Sequence, residues 1–569
     1  MPPASNPAHH VSNTGDRRAT LRGVLVPIAF VAGLLALIRI IYLAFFCPYT
    51  LIEDEAQYWV WSQMLDWSYY TKGPGVAWAI ALTTKLFGDA AWAIRLPAVI
   101  SAAIAAVAIA GLAFDITRSR RVAALSAVAI TIIPAYLAMS MLMTIDGPLV
   151  ACWALASWCA WGGLVRRRWW CWPALGLIIA IGILFKYTIL LLVPGLIIWA
   201  IAWRSRVRVP ITGVLACLAL AALASLPVIL WNANNDFATI KHLLGHLGFA
   251  EGNQQASLTK KSWHYNPLWT LTLIGTQLAL IGPVLVLGLL EGLRAWRTKD
   301  PTRDHTPQPG WLAESFLLAC SLPVLIFYLL VSFIAEPEGN WPIASGVTLT
   351  ILAALRVARA TQVLTTKRNW TRFLWRSGII LALLLCVAAL RLDLLAQIPG
   401  LRFIPAGRFT NAHLMGADAD RYLQALRTRT NQEPFIIANH YGRASQLWYY
   451  MPGHPHIYCS SSRMPGGRTT PWDFWPQLSL DDPALLGRPA VVTGLSSFHW
   501  KQVFERVELV GALQGDHKRN SKGKPSRPVY LAFNYKGFPP AGVRDWNDDK
   551  RDADEVDPVP AAPKLGGAP

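Results

Sequence analysis

Apolar residues in this 569-residue chain fall in long unbroken runs, with few stretches that alternate apolar and polar positions. An α-helix rises about 1.5 Å per residue, so about 20 apolar residues cross the hydrocarbon core of a bilayer. Runs of about that length occupy residues 24–46, 92–114, 122–140, 147–165, 169–185, 187–203, 211–230, 269–293, 311–334, 341–360 and 374–391. The pattern therefore predicts a mainly α, polytopic membrane protein of about eleven spans. Those at 169–185 and 187–203 are short and meet at Lys186. The first run is too long for a signal-peptide core and reads as an uncleaved span.

Beyond residue 392 the pattern changes to short alternating runs such as PAVVTG and PVYLAF, which predict a small α+β domain. Residues 545–569 are charged and then rich in Pro, Gly and Ala, a composition that predicts disorder. The expected organisation is a membrane domain over 1–391 with a long loop at 48–91, a C-terminal domain over 392–544, and a tail.

Composition agrees. The chain is 54% hydrophobic and 15% charged, against about 25% charged in soluble domains. Its net charge of +19 would suggest nucleic acid in a soluble protein. Here the basic residues cluster between apolar runs: Arg17, Arg18 and Arg22; Arg118, Arg120 and Arg121; Arg166 to Arg168; Arg204, Arg206 and Arg208; Arg294, Arg297 and Lys299; Arg356, Arg359, Lys367 and Arg368. With the spans counted as above, every cluster falls on one side, which the positive-inside rule makes cytoplasmic. The N-terminus is then inside and the C-terminal domain outside. The chain has 8 cysteines, seven of them in or beside apolar runs, which argues against a disulfide framework. No zinc-ligand spacing, phosphate-binding GxxxxGK[ST] loop or dinucleotide fingerprint occurs.

The predicted outer segments are Pro48 to Ala91, the turn at Asp146, Trp231 to Leu268, and Glu336 to Pro342, besides the tight turn at Lys186. Glu53, Asp54 and Glu55 lie just outside the first span, followed by Tyr58, Trp59 and Trp61, a mixture that suits a helix in the interface. The sequence YYTKGPG then brings Tyr69, Tyr70 and Lys72 beside helix-breaking glycine and proline, where exposed N–H groups and a lysine suit an anion such as phosphate. Charge alone does not separate such a site from a solvated loop. Asp146 in MTIDGPLV fits an ordinary turn as well as a functional acid. Arg39, inside the first span, either snorkels to the interface or meets a buried phosphate. Lys186 breaks the positive-inside pattern, as a phosphate contact or as a plain interfacial lysine. Lys260, Lys261, His264 and Tyr265 follow a Gly/Gln/Ser stretch that suits a mobile lid or a flexible basic loop. The turn EPEGNWP offers Glu336, Glu338 and Asn340 to sugar hydroxyls and Trp341 to a sugar ring.

In order along the chain, EDEAQYW, YYTKGPGVAW, GDAAWAIRLPAVIS, MTIDGPL, LFKYTILLLVPG, LPVILWNANNDF and EPEGNWP resemble the GT-C membrane glycosyltransferases of the protein-mannosyltransferase superfamily, in particular the bacterial branch that holds the aminoarabinose transferases (glycosyltransferase families 39 and 83). The resemblance covers about residues 24–390, and NHYGRASQLWYYMPGHPHIYC is similar to the outer domain of such bacterial proteins. It implies transfer, in the bacterial inner membrane, from a polyprenyl-phosphate-linked sugar to an extracytoplasmic lipid, glycan or protein, with membrane lipids as surroundings and no nucleic-acid partner. It implies Asp54 as the acid that takes the acceptor proton, Lys72 as the lysine of a KPP-like motif, here Lys-Gly-Pro, and Asp146 and Lys186 as matched positions. Glu55 and Asp146 are further acids that share that task, bind sugar hydroxyls or hold a divalent cation; no cofactor is otherwise implied. Lys72 and Lys186, with Arg39, Lys260 and Lys261, are the expected phosphate cations. Other readings are a lipid-linked-sugar transporter, whose ionisable residues would sit nearer the bilayer midplane, and a non-catalytic glycan-binding scaffold.

Overall fold

The computed structural model describes residues 20–246, 265–298, 310–361, 366–404, 406–464, 469–513 and 528–539. Lys260, Lys261, His264 and the tail at 545–569 lie outside them.

Each of the eleven apolar runs is helical. The main helices are α1 (Leu21–Phe45), α2 (Glu53–Gln63), α3 (Gly75–Phe87), α4 (Ala91–Thr117), α5 (Arg120–Ile132), α6 (Pro134–Met139), α7 (Asp146–Leu164), α8 (Cys171–Phe185), α9 (Leu192–Ala202), α10 (Ile211–Asn234), α11 (Ala238–His246), α12 (Pro267–Leu280), α13 (Pro283–Arg297), α14 (Trp311–Ala319), α15 (Leu322–Val331), α16 (Ser345–Ala360) and α17 (Thr366–Leu390). Among the described residues, six stretches are long and apolar enough to cross a membrane as single helices. The others are shorter, more polar or broken, each for a local reason. Run 122–140 splits because Pro134 bars Ile133 from helical geometry. Run 269–293, expected as one span, is two helices bent by 101°. Gly282 adopts φ +65°, which a residue with a Cβ rarely does, and Pro283 lacks the N–H that would continue α12.

At the end of the bundle where α4 and α7 finish, the basic clusters are more than a topological signal. The buried Asp115 meets Arg168 at 2.9 Å, while Glu291 and Glu314 meet Arg294 at 2.7 and 3.1 Å, and both also pair with Arg359.

The C-terminal part carries α18 (Ala412–Thr430), α19 (Tyr441–Tyr450) and a five-stranded sheet of β1 (Phe435–Ala438), β2 (Tyr458–Cys459), β3 (Ala490–Thr493), β4 (Phe504–Gly511) and β5 (Val529–Tyr535), in the order β2-β1-β3-β5-β4. β1 pairs in parallel with β2 and β3; β5 is antiparallel to β3 and β4. Alternate residues of β1 face opposite sides, as strand pleating requires. Phe435 and Ile437 join a core with Trp500 and Tyr535, whereas Ile436 and Ala438 join one that also holds Trp59, Trp61, Tyr69 and Val76 of the first long loop. That loop thus shares a hydrophobic core with the C-terminal sheet.

Candidate active site

Three acids open α2, where the positive end of the helix dipole favours them. One helical turn sends them in different directions. Glu55 is fully buried: its oxygens accept from Arg95 at 2.8 and 2.7 Å and from the backbone N–H of Met143 at 2.9 Å. Arg95 also donates to the carbonyls of Tyr49 and Thr50. The geometry thus withdraws Glu55 from the acids open to substrate and makes it a tie between α2, α4 and the segment before α7.

Asp54 points the other way and is solvent-accessible. Tyr58, four residues on, shares its helix face, and the Lys72 ammonium lies 5.9 Å from the Tyr58 ring centre. Neither the Asp54 carboxylate nor the Lys72 ammonium has a hydrogen bond or ion pair with the described residues. Surrounding protein raises the Asp54 carboxyl pKa, with Lys72 opposing and Glu53, Glu55 and Asp146 adding to the rise. Burial lowers the Lys72 ammonium and Lys186 adds to that, while Asp54 and Asp146 work against it.

Asp146, at the start of α7, is 3% exposed. Its oxygens hold Lys186 Nζ at 2.6 Å and Asn340 Nδ2 at 2.8 Å. Gly147 lets the start of α7 lie against the end of α6, because a Cβ there would sit 2.8 Å from the Met139 carbonyl oxygen. The Lys-Gly-Pro departure has a similar cause: a Cβ on Gly73 would lie 2.5 Å from the carbonyl oxygen of Leu184, two residues before Lys186. The glycine lets the Lys72 loop lie directly on the end of α8.

Other expected residues fall elsewhere. Tyr69 and Tyr70 were expected at the substrate, but both are buried in packing. Tyr69 stacks on Trp61 at 4.3 Å and donates to the Trp61 carbonyl, and Tyr70 lies against Phe474 and His242. Arg39 was expected at the phosphate; it is half-buried within α1. Tyr265 bonds Thr270 and packs on Phe333. Glu336 and Glu338 are exposed, and Trp341 lays its ring against Tyr328. Of that turn, Asn340 alone bonds Asp146. Among the described residues no three His, Cys, Asp or Glu side chains are grouped to hold a metal, and the oxygens of Glu55 and Asp146 are held by cations and N–H donors.

Two residues were not singled out for the site despite a signal, Tyr58 being read only as an interfacial aromatic. Tyr58 stands one helical turn from Asp54. Arg95 is a lone charge inside an apolar run, which is costly without a partner.

The family model described as dolichyl-phosphate-mannose-protein mannosyltransferase matches residues 71–231, which carry Lys72, Asp146 and Lys186. A lipid A galacturonosyltransferase, RgtD, of Rhizobium johnstonii is 27% identical over 411 residues, 70% of this chain and 76% of its own length. The undecaprenyl phosphate-alpha-4-amino-4-deoxy-L-arabinose arabinosyl transferase 2 of Proteus mirabilis is 27% identical over 275 residues, 46% of each chain. The crystal structure of ArnT from Cupriavidus metallidurans bound to undecaprenyl phosphate shares the fold, with TM-score 0.56 and 13% identity over 90% of this chain and 98% of that one. Fold and relatives define a multi-pass membrane glycosyltransferase. By these matches the chain is similar to the membrane glycosyltransferases of the protein-mannosyltransferase and aminoarabinose-transferase-like group.

Proposed function

We propose that this protein moves a sugar from a polyprenyl-phosphate carrier to a lipid or glycan acceptor at the outer face of a bacterial inner membrane, with Asp54 as general base. The observation that carries the reading is an Asp54 carboxylate and a Lys72 ammonium that act on each other without an ion pair, together with the Asp146–Lys186 ion pair that acts on both. The acceptor hydroxyl gives its proton to an Asp54 oxygen as its own oxygen attacks the anomeric carbon. The bond from that carbon to the phosphate oxygen breaks, and the phosphate monoester leaves with the electron pair. A single displacement inverts the anomeric centre. Charge grows on the leaving phosphate, so Lys72 lowers the barrier differentially rather than merely binding donor. Lys186, already held by Asp146, supplies a second fixed positive end. The relatives named above support this donor and acceptor class, since one is named for lipid A and another for an undecaprenyl-phosphate-linked sugar.

The test is Asp54→Asn, assayed in membranes with polyprenyl-phosphate sugars and lipid A. Loss of a general base lowers the rate by about 10²–10⁴-fold. Near-normal transfer by a normally expressed variant would overturn the assignment.

A further inference from the structure

Tyr58 stands on α2 one helical turn from Asp54, and its ring is enclosed: the residue is 3% exposed. Trp61 meets that ring edge-on with centres 5.3 Å apart, and Trp61 itself stacks on Tyr69. Tyr69 and Lys72 exchange backbone hydrogen bonds, at 3.0 Å from the Tyr69 N–H and 3.3 Å from the Lys72 N–H. The turn that carries Lys72 is thereby fixed to the same aromatic stack as Tyr58. It places the Lys72 ammonium 5.9 Å from the Tyr58 ring centre, within the range at which a ring face attracts a cation.

The Tyr58 hydroxyl is the exception to this enclosure. It has no hydrogen-bond partner among the described residues, yet it is not one of the polar atoms sealed off from solvent. A buried tyrosine usually satisfies its O–H, so an accessible, unsatisfied hydroxyl on an enclosed ring marks a place where a ligand completes the bonding. Burial, and then the Asp54 and Asp146 carboxylates and the Tyr441 phenol, hold its pKa well above the ordinary tyrosine range. The hydroxyl therefore keeps its proton wherever Asp54 is a base, and it is offered as a donor.

We propose that Tyr58 is a catalytic residue of the transfer: its hydroxyl donates to an oxygen of the donor's phosphate, and its ring holds the Lys72 ammonium that neutralises the same group. The inference rests on the transfer reading above. The donor phosphate is a diester with one negative charge. As the bond from the anomeric carbon to the phosphate oxygen breaks, the electron pair stays on that oxygen and the group becomes a monoester with two charges. A hydrogen bond to it strengthens as that charge grows, so it stabilises the transition state more than the bound donor. The proton stays on Tyr58, and the acceptor proton still goes to Asp54. An acceptor hydroxyl spends its own O–H on Asp54 and gains little from a second donor, whereas the phosphate oxygens only accept.

The experiment uses the full-length protein in nanodiscs, with undecaprenyl-phosphate-linked galacturonate and 4-amino-4-deoxy-arabinose as donors and lipid A as acceptor. Undecaprenyl phosphate is the binding probe. Tyr58→Phe keeps the ring and loses the hydroxyl. It is expected to lower kcat by roughly ten- to a hundredfold and to weaken undecaprenyl phosphate binding by roughly tenfold, while the lipid A KM stays within about twofold. The alkaline limb of its kcat/KM profile should stay where it is in wild type. Tyr58→Leu also takes the ring from Lys72, which faces Asp54, Asp146 and Lys186 besides. A cation without its ring gives up its proton more readily, so that limb should move to lower pH in Tyr58→Leu alone. Wild-type kcat and undecaprenyl phosphate affinity in Tyr58→Phe overturn the hydroxyl's role, and an unmoved alkaline limb in Tyr58→Leu overturns the ring's. A lowered Tm with equal rises in donor and acceptor KM, the mark of packing alone, overturns both. A wild-type protein that turns over none of the donors sinks the transfer reading. Undecaprenyl phosphate binding then still decides Tyr58, since unchanged affinity in Tyr58→Phe sinks this inference by itself.

Discussion

Lys186 Nζ lies 2.6 Å from Asp146 Oδ1, and this buried pair joins the end of α8 to the start of α7. Asn340 holds the other oxygen of Asp146 at 2.8 Å, so three segments far apart in the chain meet on one carboxylate. Lys186→Ala removes a fixed charge and strands Asp146, and transfer should fall by about 10²–10³-fold. Asn340→Ala removes one hydrogen bond, worth about 1 kcal/mol, and should cost only about five- to tenfold. Steady-state kinetics of the two variants decide it; equal losses would show that the Asp146–Lys186 pair has no special weight.

The activity should be bell-shaped in pH, with both limbs displaced inward. Asp54 acts when deprotonated. Partial desolvation by the surrounding protein raises its pKa, so activity falls, as pH drops, at a higher pH than a free carboxyl at about 3.9 would give. Lys72 acts when protonated. Burial, reinforced by Lys186, lowers its pKa, so activity falls on the alkaline side before the usual lysine value of about 10.4. In Lys72→Arg the alkaline limb should move out, because a guanidinium keeps its proton. A profile of kcat/KM against pH for wild type and variant checks both limbs.

Glu55 and Arg95 are exposed by 0% and 1%, so losing one partner leaves a buried charge. Glu55→Ala should destabilise by about 3–5 kcal/mol, and Glu55→Ala with Arg95→Met by distinctly less. Thermal unfolding of the single and double variants measures the coupling; additive losses would mean the pair is not a unit.

Gly73→Ala tests the loop path. Its Cβ would meet the Leu184 carbonyl oxygen at 2.5 Å, a methyl against backbone, so the loop must shift. Overpacking of this kind costs about 1–3 kcal/mol. The displaced Lys72 should show as a raised donor KM, while an unchanged KM would show that the loop absorbs the methyl elsewhere.

Much of the candidate site was legible because buried charge is costly and therefore conspicuous. Asp54, Lys72, Asp146 and Lys186 stand out at the borders of apolar runs, and the structure brings Asp146 to Lys186. Three neighbouring acids are harder to rank, since periodicity does not say which face of a short helix meets protein. Glu55 and Asp54 differ by one residue and by about 100° around α2, enough to turn one to Arg95 and leave the other exposed. Tyr69 and Tyr70 misled for a related reason: aromatic residues near a charged loop suit a ligand or a core equally, and here Trp61, Phe474 and His242 claim them.

Hydrophobic period and run length by themselves determined the membrane bundle, its helices and the change of character after residue 392, because transfer of apolar surface out of water is a local, additive property. Proline and glycine positions accounted for the breaks at Pro134 and Gly282 once the backbone was seen. Tertiary structure alone decided that Asn340 reaches Asp146, that Glu55 is spent on Arg95, and that the C-terminal part shares a core with the first loop and sets His440 and Tyr441 beside Glu53. These contacts join residues tens to hundreds of positions apart, and they depend on which helix faces meet, a matter of packing that no single segment encodes.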